Sequence, residues 1–360
     1  IMPQTREHLA ILDLLAVSRG AIALTKIDRC EPDRVQTVIE EIKQLQATTS
    51  LKGAPIFALS NESGDGIDEL SDYLQSHFDD NSALKESGDD DRYFRYLIDR
   101  SFVAKGIGTV LTGSVRAGSI KTGSSLKHTA SGEATKLRSA RLDKTELNEV
   151  YNGQRAAMNV SLDHKLVARG DWLIDEKLFH PINRLDATVD FIDADFKLNS
   201  SAQYHVHIGA SHHVVNIRHL GESLYQIKCL ESMIGHHGDR FIVRDPASQH
   251  TLGGGRVVDI FIPRRKRSSE SRLAQLNAMQ HDSIDALKQL LKMQIDGIKL
   301  QEFSICRNIS NSAIEKLLET LKQEDVGFHS LNLEKSSLPV LLHEDYHSEY
   351  RNNILSYLKD

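Results

Sequence analysis

The chain has 360 residues, 40% of them hydrophobic and 26% charged, with a net charge of −6. This length suits about two to four domains with buried cores, and the acidic balance argues against indiscriminate nucleic-acid binding by the whole surface. No apolar run approaches the roughly 20 residues of a membrane helix, so no membrane partner is expected. Cys30, Cys229 and Cys306 lie far apart with no C-x-x-C. That spacing supports neither a disulfide framework nor a cysteine zinc site, and it suits a reducing cytoplasm. The start, Ile1-Met2-Pro3-Gln4-Thr5, lacks the basic and apolar regions of a secretory signal. Ile1 and Met2 are expected to be internal to a longer reading frame.

Residues 1–78 read as alternating helix and strand. Thr5 is placed to cap a helix carrying Leu9, Leu12 and Leu15. The apolar runs Ala21–Leu24 and Pro55–Leu59 suit strands buried on both faces of a parallel sheet. Helices follow each, with Val35, Val38, Ile39 and Ile42 in the first and Ile67, Leu70 and Leu74 in the second. This α-β-α-β-α order predicts the second half of a doubly wound α/β domain. Residues 79–91 are acidic, without periodicity, and read as a linker.

Over 92–177 Phe94, Tyr96 and Ile98 alternate with Arg95, Leu97 and Asp99, and glycines recur at 106, 108, 113, 118 and 123. Short strands separated by glycine turns predict a β-barrel. A second all-β barrel is expected over 181–263, with Val189, Phe191, Val206, Ile208, Val214, Ile217, Phe241 and Val243 facing inward. From 264 to 360 the chain turns helical. Ser312-Ala313-Ile314-Glu315 reads as a capping box, and helices followed by a small hairpin and a last helix to Leu358 suggest a winged-helix region.

The sharpest chemistry lies where the first strand runs out, at Thr25-Lys26-Ile27-Asp28. Ligands of doubly wound domains bind at the carboxyl ends of strands. A carboxylate there accepts from guanine N1–H and the 2-amino group, a donor pair that adenine lacks, while the lysine stem lies across the base. The next strand ends in Ser60-Asn61-Glu62-Ser63-Gly64-Asp65-Gly66, a second loop at the same sheet edge. Thr25, Lys26, Asp28, Ser60, Asn61 and Glu62 are the expected guanine-binding residues.

Met2-Pro3-Gln4-Thr5-Arg6-Glu7-His8, followed by a strand and T-K-x-D, resembles the stretch after switch II in elongation factor Tu and other translational GTPases. The usual motif there is N-K-x-D; Thr25 in place of Asn resembles the selenocysteine-specific factors, and a hydroxyl makes fewer hydrogen bonds than an amide. The resemblance implies GTP/GDP as ligand. No G-x-x-x-x-G-K-[ST] occurs in the sequence, so the phosphate cradle and the Mg²⁺ it holds are expected only in a complete protein, and this piece alone is expected not to hydrolyse GTP.

Gly106-Ile107-Gly108-Thr109-Val110-Leu111-Thr112-Gly113, with Gly118 and Gly123, resembles the second domain of translation factors. Phe94-Arg95-Tyr96-Leu97-Ile98-Asp99-Arg100 and Asn152-Gly153-Gln154-Arg155 are similar to bacterial selenocysteine-specific factors. In that family the matching residues line the aminoacyl pocket, which implies that role for Asp99, Arg100 and Arg155. The physics agrees: two permanent guanidinium charges favour a selenolate over a neutral seryl group. The bland reading is a surface Asp–Arg pair beside a structural arginine.

In the second barrel His205, His207, His212, His213, His236 and His237 invite a metal reading. No cysteine or acid lies at ligand spacing, so no metal is expected. Segments 240–245 and 251–257 resemble the family's third domain, and Arg244 and Arg256 are candidate tRNA-backbone contacts. The basic run Arg264–Arg267 opens the extension. It reads as a linker near RNA, or as a solubilising stretch. By resemblance the partners are selenocysteinyl-tRNA, the ribosome and, through C-terminal winged helices expected to be missing here, the mRNA hairpin that recodes UGA. Two other readings stay open: a different translational GTPase, of the general tRNA-carrier or initiation type, and a non-catalytic RNA-binding module.

Overall fold

The computed structural model describes residues 1–80, 91–333 and 336–357. Most of the expected acidic linker, 81–90, lies outside the described residues, as does Leu358. The chain divides into two compact units. One is Ile1–Asp89 with Asp190–Phe196 and Ile242–Gly255; the other is Asp90–Val189 with Lys197–Phe241 and Arg256–Asp360.

The first unit runs α1 (Pro3–Leu14), β1 (Ile22–Thr25), α2 (Pro32–Gln46), β2 (Ile56–Leu59) and α3 (Ile67–Asp80). β1 and β2 pair in parallel, from Ile22 opposite Ile56 to Thr25 opposite Leu59. Thr5 does not cap α1. The helix begins at Pro3 after Met2, because a proline's fixed φ and missing N–H suit the first helical position. The strands are not buried on both faces as expected; only Leu59 is buried in them. Burial on both faces needs sheet neighbours and helices on every side, and this two-stranded sheet supplies fewer.

In the same unit, Glu7 on α1 accepts from Thr251 Oγ1 and from Arg244 Nη2, both at 2.8 Å. The Thr251 hydroxyl, and after it the Arg244 charge, hold the Glu7 carboxyl below its ordinary value. A depressed carboxyl stabilises fully above the unfolded-state value of about 4.3 and less as pH falls through the folded-state value. Glu7→Gln is therefore expected to flatten the pH dependence of unfolding between about pH 5 and pH 3, read by thermal melts at several pH values. An unchanged slope would remove Glu7 from the acid response.

The second unit opens with a barrel. Its strands are β3 (Arg95–Ala104), β4 (Gly108–Ala117), β5 (Ser119–Lys121), β6 (Ser125–His128), β7 (Ala134–Leu142), β8 (Thr145–Leu147), β9 (Glu149–Tyr151), β10 (Arg155–Val160) and β11 (Trp172–Ile174). The order β10-β4-β3-β11-β6-β7-β8, with β10 also on β7, brings the sheet round on itself; β5 pairs with β9. Tyr96, Ile98, Leu111, Leu137, Met158 and Leu173 fill the interior. The alternation expected at 94–99 is absent, since every residue from Tyr93 to Ile98 is buried. The second face of β3 is covered too. Arg95 makes a two-pronged pair with Asp239, at 2.7 and 2.8 Å, and lies over the Trp172 ring.

Of the five spaced glycines, 106, 108, 118 and 123 have positive φ, as turns require. Gly113 does not. It sits within β4, where a Cβ would run into the Leu97 carbonyl and the Tyr96 ring. Its role is close approach rather than turning.

The second barrel closes in the order β12-β15-β14-β13-β16-β17, from β12 (Ile182–Phe191), β13 (Tyr204–Ile208), β14 (Ser211–Gly221), β15 (Leu224–Met233), β16 (Arg240–Arg244) and β17 (Thr251–Asp259). Val189, Val206, Ile208, Ile217, Phe241 and Val243 are buried. Val215, not Val214, is the buried valine of β14; residues three apart, as Val214 and Ile217 are, cannot share a strand face.

There follow α4 (Glu270–Met279), α5 (Ser283–Met293), β18 (Ile298–Lys299), α6 (Leu300–Arg307), α7 (Asn311–Gln323), β19 (Phe328–Leu331), β20 (Val340–His343) and α8 (Glu344–Tyr357). β20 lies between β18 and β19. The expected capping box is corrected: Ser310 caps α7, its Oγ accepting from Ala313 N at 3.2 Å. The α6–α7 turn grips the entry to the first barrel. Asn308 accepts from Tyr93 N at 3.0 Å and donates to Tyr93 O at 3.1 Å. No helix among the described residues is long and apolar enough to cross a membrane.

Candidate functional site

The parallel pairing of β1 and β2 places their exits side by side, so the two predicted guanine loops meet. Thr25 ends β1, Lys26 takes a left-handed conformation with φ 63°, and Asp28 follows in a short 3₁₀ turn. Ser60 is completely buried at the end of β2. Its hydroxyl donates to Asp28 Oδ1 at 2.7 Å and accepts from the backbone N–H groups of Glu62 and Ser63, each at 3.2 Å. Ser60 thus orients Asp28 and the second loop. Asn61, Glu62 and Lys26 are exposed around it. Gly66, at φ 73°, passes too close to the Ala58 carbonyl for any side chain. What the cluster offers is an oriented carboxylate on an open edge, beside one lysine stem.

On the first barrel, Ile98 pairs with Gly113 and Arg100 with Thr112, so Asp99 is an extra residue in β3. Such a bulge re-aims a side chain. Here it turns Asp99 to the outer face, where it forms an ion pair with Arg155 of β10. Arg100 lies on that face through Thr112, and Arg155 through Ser114, both small residues of the intervening β4. The lateral separation is two strand spacings, roughly 10 Å, within reach of two arginine stems turned toward one small group. Two guanidiniums and one carboxylate leave a single net positive charge. Arg155 is 61% exposed, so the charge faces solvent.

Beneath this face lies a residue that the sequence reading did not single out for function. Tyr96 is fully buried, and its hydroxyl donates toward the carbonyls of Leu111 at 3.1 Å and Ala156 at 2.8 Å. It joins β4 to β10 next to Arg155. Burial, with the Asp99 charge adding to it, pushes the phenol well up, so it stays a donor. A tyrosine at an inward position of a barrel strand needs buried acceptors, which was the available signal.

Arg244 is engaged within the fold, by Glu7 and by the Ser248 carbonyl at 3.2 Å. Arg256 is half-buried on β17 and acts electrostatically on His237 and Arg307. Neither environment singles out a tRNA contact. His205 Nδ1 lies 2.5 Å from His212 Nε2, and the His207 ring sits 5.0 Å from that of His212. Among the described residues no group of three or more His, Cys, Asp or Glu is arranged to hold a metal ion. Burial drives His236 down to about 3 and His237 to about 4, so both are neutral at pH 7.

An α/β element, two successive β-barrels and a helical extension define the fold class: a multidomain architecture like that of elongation factor Tu. Comparison with known proteins is more particular. Residues 186–264 match the family model described as the selenocysteine-specific elongation factor, β-barrel domain. The selenocysteine-specific elongation factor of Escherichia coli (strain K12) is 28% identical over 334 residues, covering 92% of this chain and 53% of that protein. A crystal structure of a bacterial selenocysteine-specific elongation factor superposes with a TM-score of 0.80 at 23% identity, over 99% of this chain and 56% of that one. The elongation factor SelB of Methanococcus maripaludis, solved with a GTP analogue, gives 0.61 at 23% identity over 72% of this chain and 62% of that one. Over most of its length the chain is thus similar to selenocysteine-specific elongation factors, and residues 186–264 carry the β-barrel domain of that family. It spans about half the length of the curated relatives it matches.

Proposed function

We propose that this chain is part of a GTP-dependent elongation factor that delivers selenocysteinyl-tRNA to the ribosome at recoded UGA codons, in the cytoplasm. The observation that carries the reading is the Asp99 bulge, which gathers Asp99, Arg100 and Arg155 into an exposed group of net charge +1. A selenol is largely ionised at neutral pH, and one anion matches that charge. A seryl group is neutral and leaves the guanidiniums underpaired, which supplies discrimination. Tyr96 holds the strands that present the group.

The guanine edge fits the same reading, with Asp28 accepting from the base, Lys26 along its plane and Ser60 behind. GTP and GDP are the nucleotides; the Mg²⁺ ion belongs with a phosphate-binding segment whose motif this sequence does not contain. The chain by itself is therefore expected to turn over no GTP above a buffer blank in a phosphate-release assay, and measurable turnover would overturn that expectation. The ribosome and the recoding mRNA hairpin complete the set of partners.

The test uses a form of the protein completed with the phosphate-binding half of a relative's GTP-binding domain, loaded with GTP. Its affinities for selenocysteinyl-tRNA and seryl-tRNA on the same tRNA body are compared. Arg100→Ala and Arg155→Ala are each expected to cut the preference by roughly tenfold or more, the worth of a charge-assisted contact of about 1.5–3 kcal/mol. Equal affinity of the unaltered protein for both forms would favour a general tRNA carrier.

A further inference from the structure

A cleft of about 1250 Å³ opens between the second barrel and the helices that follow it, within the larger unit. Six cationic and three acidic side chains line it, on a chain whose net charge is −6. Two of the cations are already answered: Arg272 by Asp186 and Asp259, and Lys299 by Glu302 at 2.9 Å. Arg184, Arg264, Lys266 and Arg267 form no salt bridge among the described residues, and of the three lining acids only Asp296 is likewise outside a salt bridge. Three of these four cations fall within the short segment 264–267 that lines the cleft.

That segment is held in a defined turn. The Arg267 Nε donates to the Pro263 carbonyl at 3.0 Å, and Ser269 donates to the Lys266 carbonyl through Oγ at 3.0 Å and N at 3.2 Å. Lys266 adopts a left-handed conformation, with φ 55°, to make this turn. A solubilising linker needs no such fixing; a structured turn carrying several cations into a cleft suits a polyanionic ligand.

We propose that this cleft binds the phosphate backbone of RNA, with Arg184, Arg264, Lys266 and Arg267 as the phosphate contacts. The inference rests on the functional reading above only in choosing RNA among polyanions. It concerns a different face from the aminoacyl group and implies no base recognition, because phosphate contacts position without reading sequence.

The test is fluorescence anisotropy of the 360-residue chain with a labelled, deacylated RNA hairpin of mixed sequence, from about 50 to 200 mM salt. The cleft variant is Arg264→Glu with Lys266→Glu, both exposed. The charge-matched control is Lys43→Glu with Lys52→Glu, exposed lysines of the smaller unit. Circular dichroism melts confirm that both variants fold. The cleft variant is expected to bind at least about tenfold more weakly, with the log–log salt slope shallower by about two, and the control to match the unaltered chain. Equal affinity of cleft variant and unaltered chain, or an equal loss in the control, overturns the proposal. So does stronger retention on anionic lipid vesicles than on RNA through the same residues. Failure of the aminoacyl reading looks different: selenocysteinyl and seryl forms bind alike, while the cleft variant still loses affinity for both.

Discussion

Replacing Arg272 with alanine is expected to destabilise the larger unit by about 3–5 kcal/mol, the usual effect of removing one partner from a buried ion group. Arg272 comes from the first turn of α4 and reaches the second barrel. Its Nη2 lies 2.6 Å and its Nε 3.2 Å from Asp186 Oδ2, and its Nη1 lies 2.9 Å from Asp259. Asp186 is completely buried and takes a further bond from Gln226 at 3.0 Å. Without the guanidinium two carboxylates are left near one another with little water. Burial opposes the Arg272 charge, yet Asp259 and Asp186 hold it above its ordinary value; the cation is integral to the cluster.

The pH dependence fixes the mechanism. Burial already pushes Asp186 up, against the pull of Arg272. Removing Arg272 takes away that pull, so the folded state of the variant favours the protonated form of Asp186 more strongly. A raised carboxyl costs stability above its folded-state value and recovers it as pH falls. The deficit relative to the unaltered chain should therefore be larger at about pH 7 than at pH 5. Urea unfolding at both values measures it. A deficit that is the same at both, or below about 1 kcal/mol, would mean that packing alone joins α4 to the barrel.

The second large effect is on nucleotide choice. Asp28→Asn in the completed protein should weaken GDP binding by roughly a hundredfold, about 2.7 kcal/mol. The carboxylate offers two acceptors to the two guanine donors. An asparagine offers one acceptor and one donor, and its N–H₂ then meets the 2-amino group of the base. Xanthine carries a carbonyl at that ring position, so the variant should bind xanthosine diphosphate better than GDP. Equilibrium titration with both nucleotides decides it. Unchanged GDP affinity would show that Asp28 does not face the base. Ser60→Ala is a gentler probe of the same site, since it removes only the hydroxyl that orients Asp28.

Much of this architecture was legible in residue order. Helical spacing at Val35–Ile42 and the run Ile56–Leu59 mark a parallel α/β pair because side-chain periodicity is a local property. The positive φ at Gly106, Gly108, Gly118 and Gly123 is local too. The motif at Thr25–Asp28 fell at a strand exit because polar residues end an apolar run there. The same locality explains the errors. The Glu three residues on favours Ser312 in pattern, and only the hydrogen bond from Ala313 N selects Ser310 as the cap. Thr5 lost to a proline two residues earlier.

By itself, then, the sequence determined the order of the elements, the two barrels and the position of the T-K-x-D loop at a strand exit, since each is written in spacing or in residue type. The tertiary structure alone decided how those groups act. The bulge that turns Asp99 outward depends on β3 finding its register against Gly113 and Thr112. The Tyr96 staple depends on carbonyls 15 and 60 residues away. The engagement of Arg244 by Glu7 spans 237 residues, and that of Arg272 by Asp186 spans 86. Charges that look alike in a sequence become a binding face, a buried cluster or a cleft wall only when folding assigns each its partner. Burial and pairing set the free energy of a charge, and neither is encoded by its neighbours in the chain.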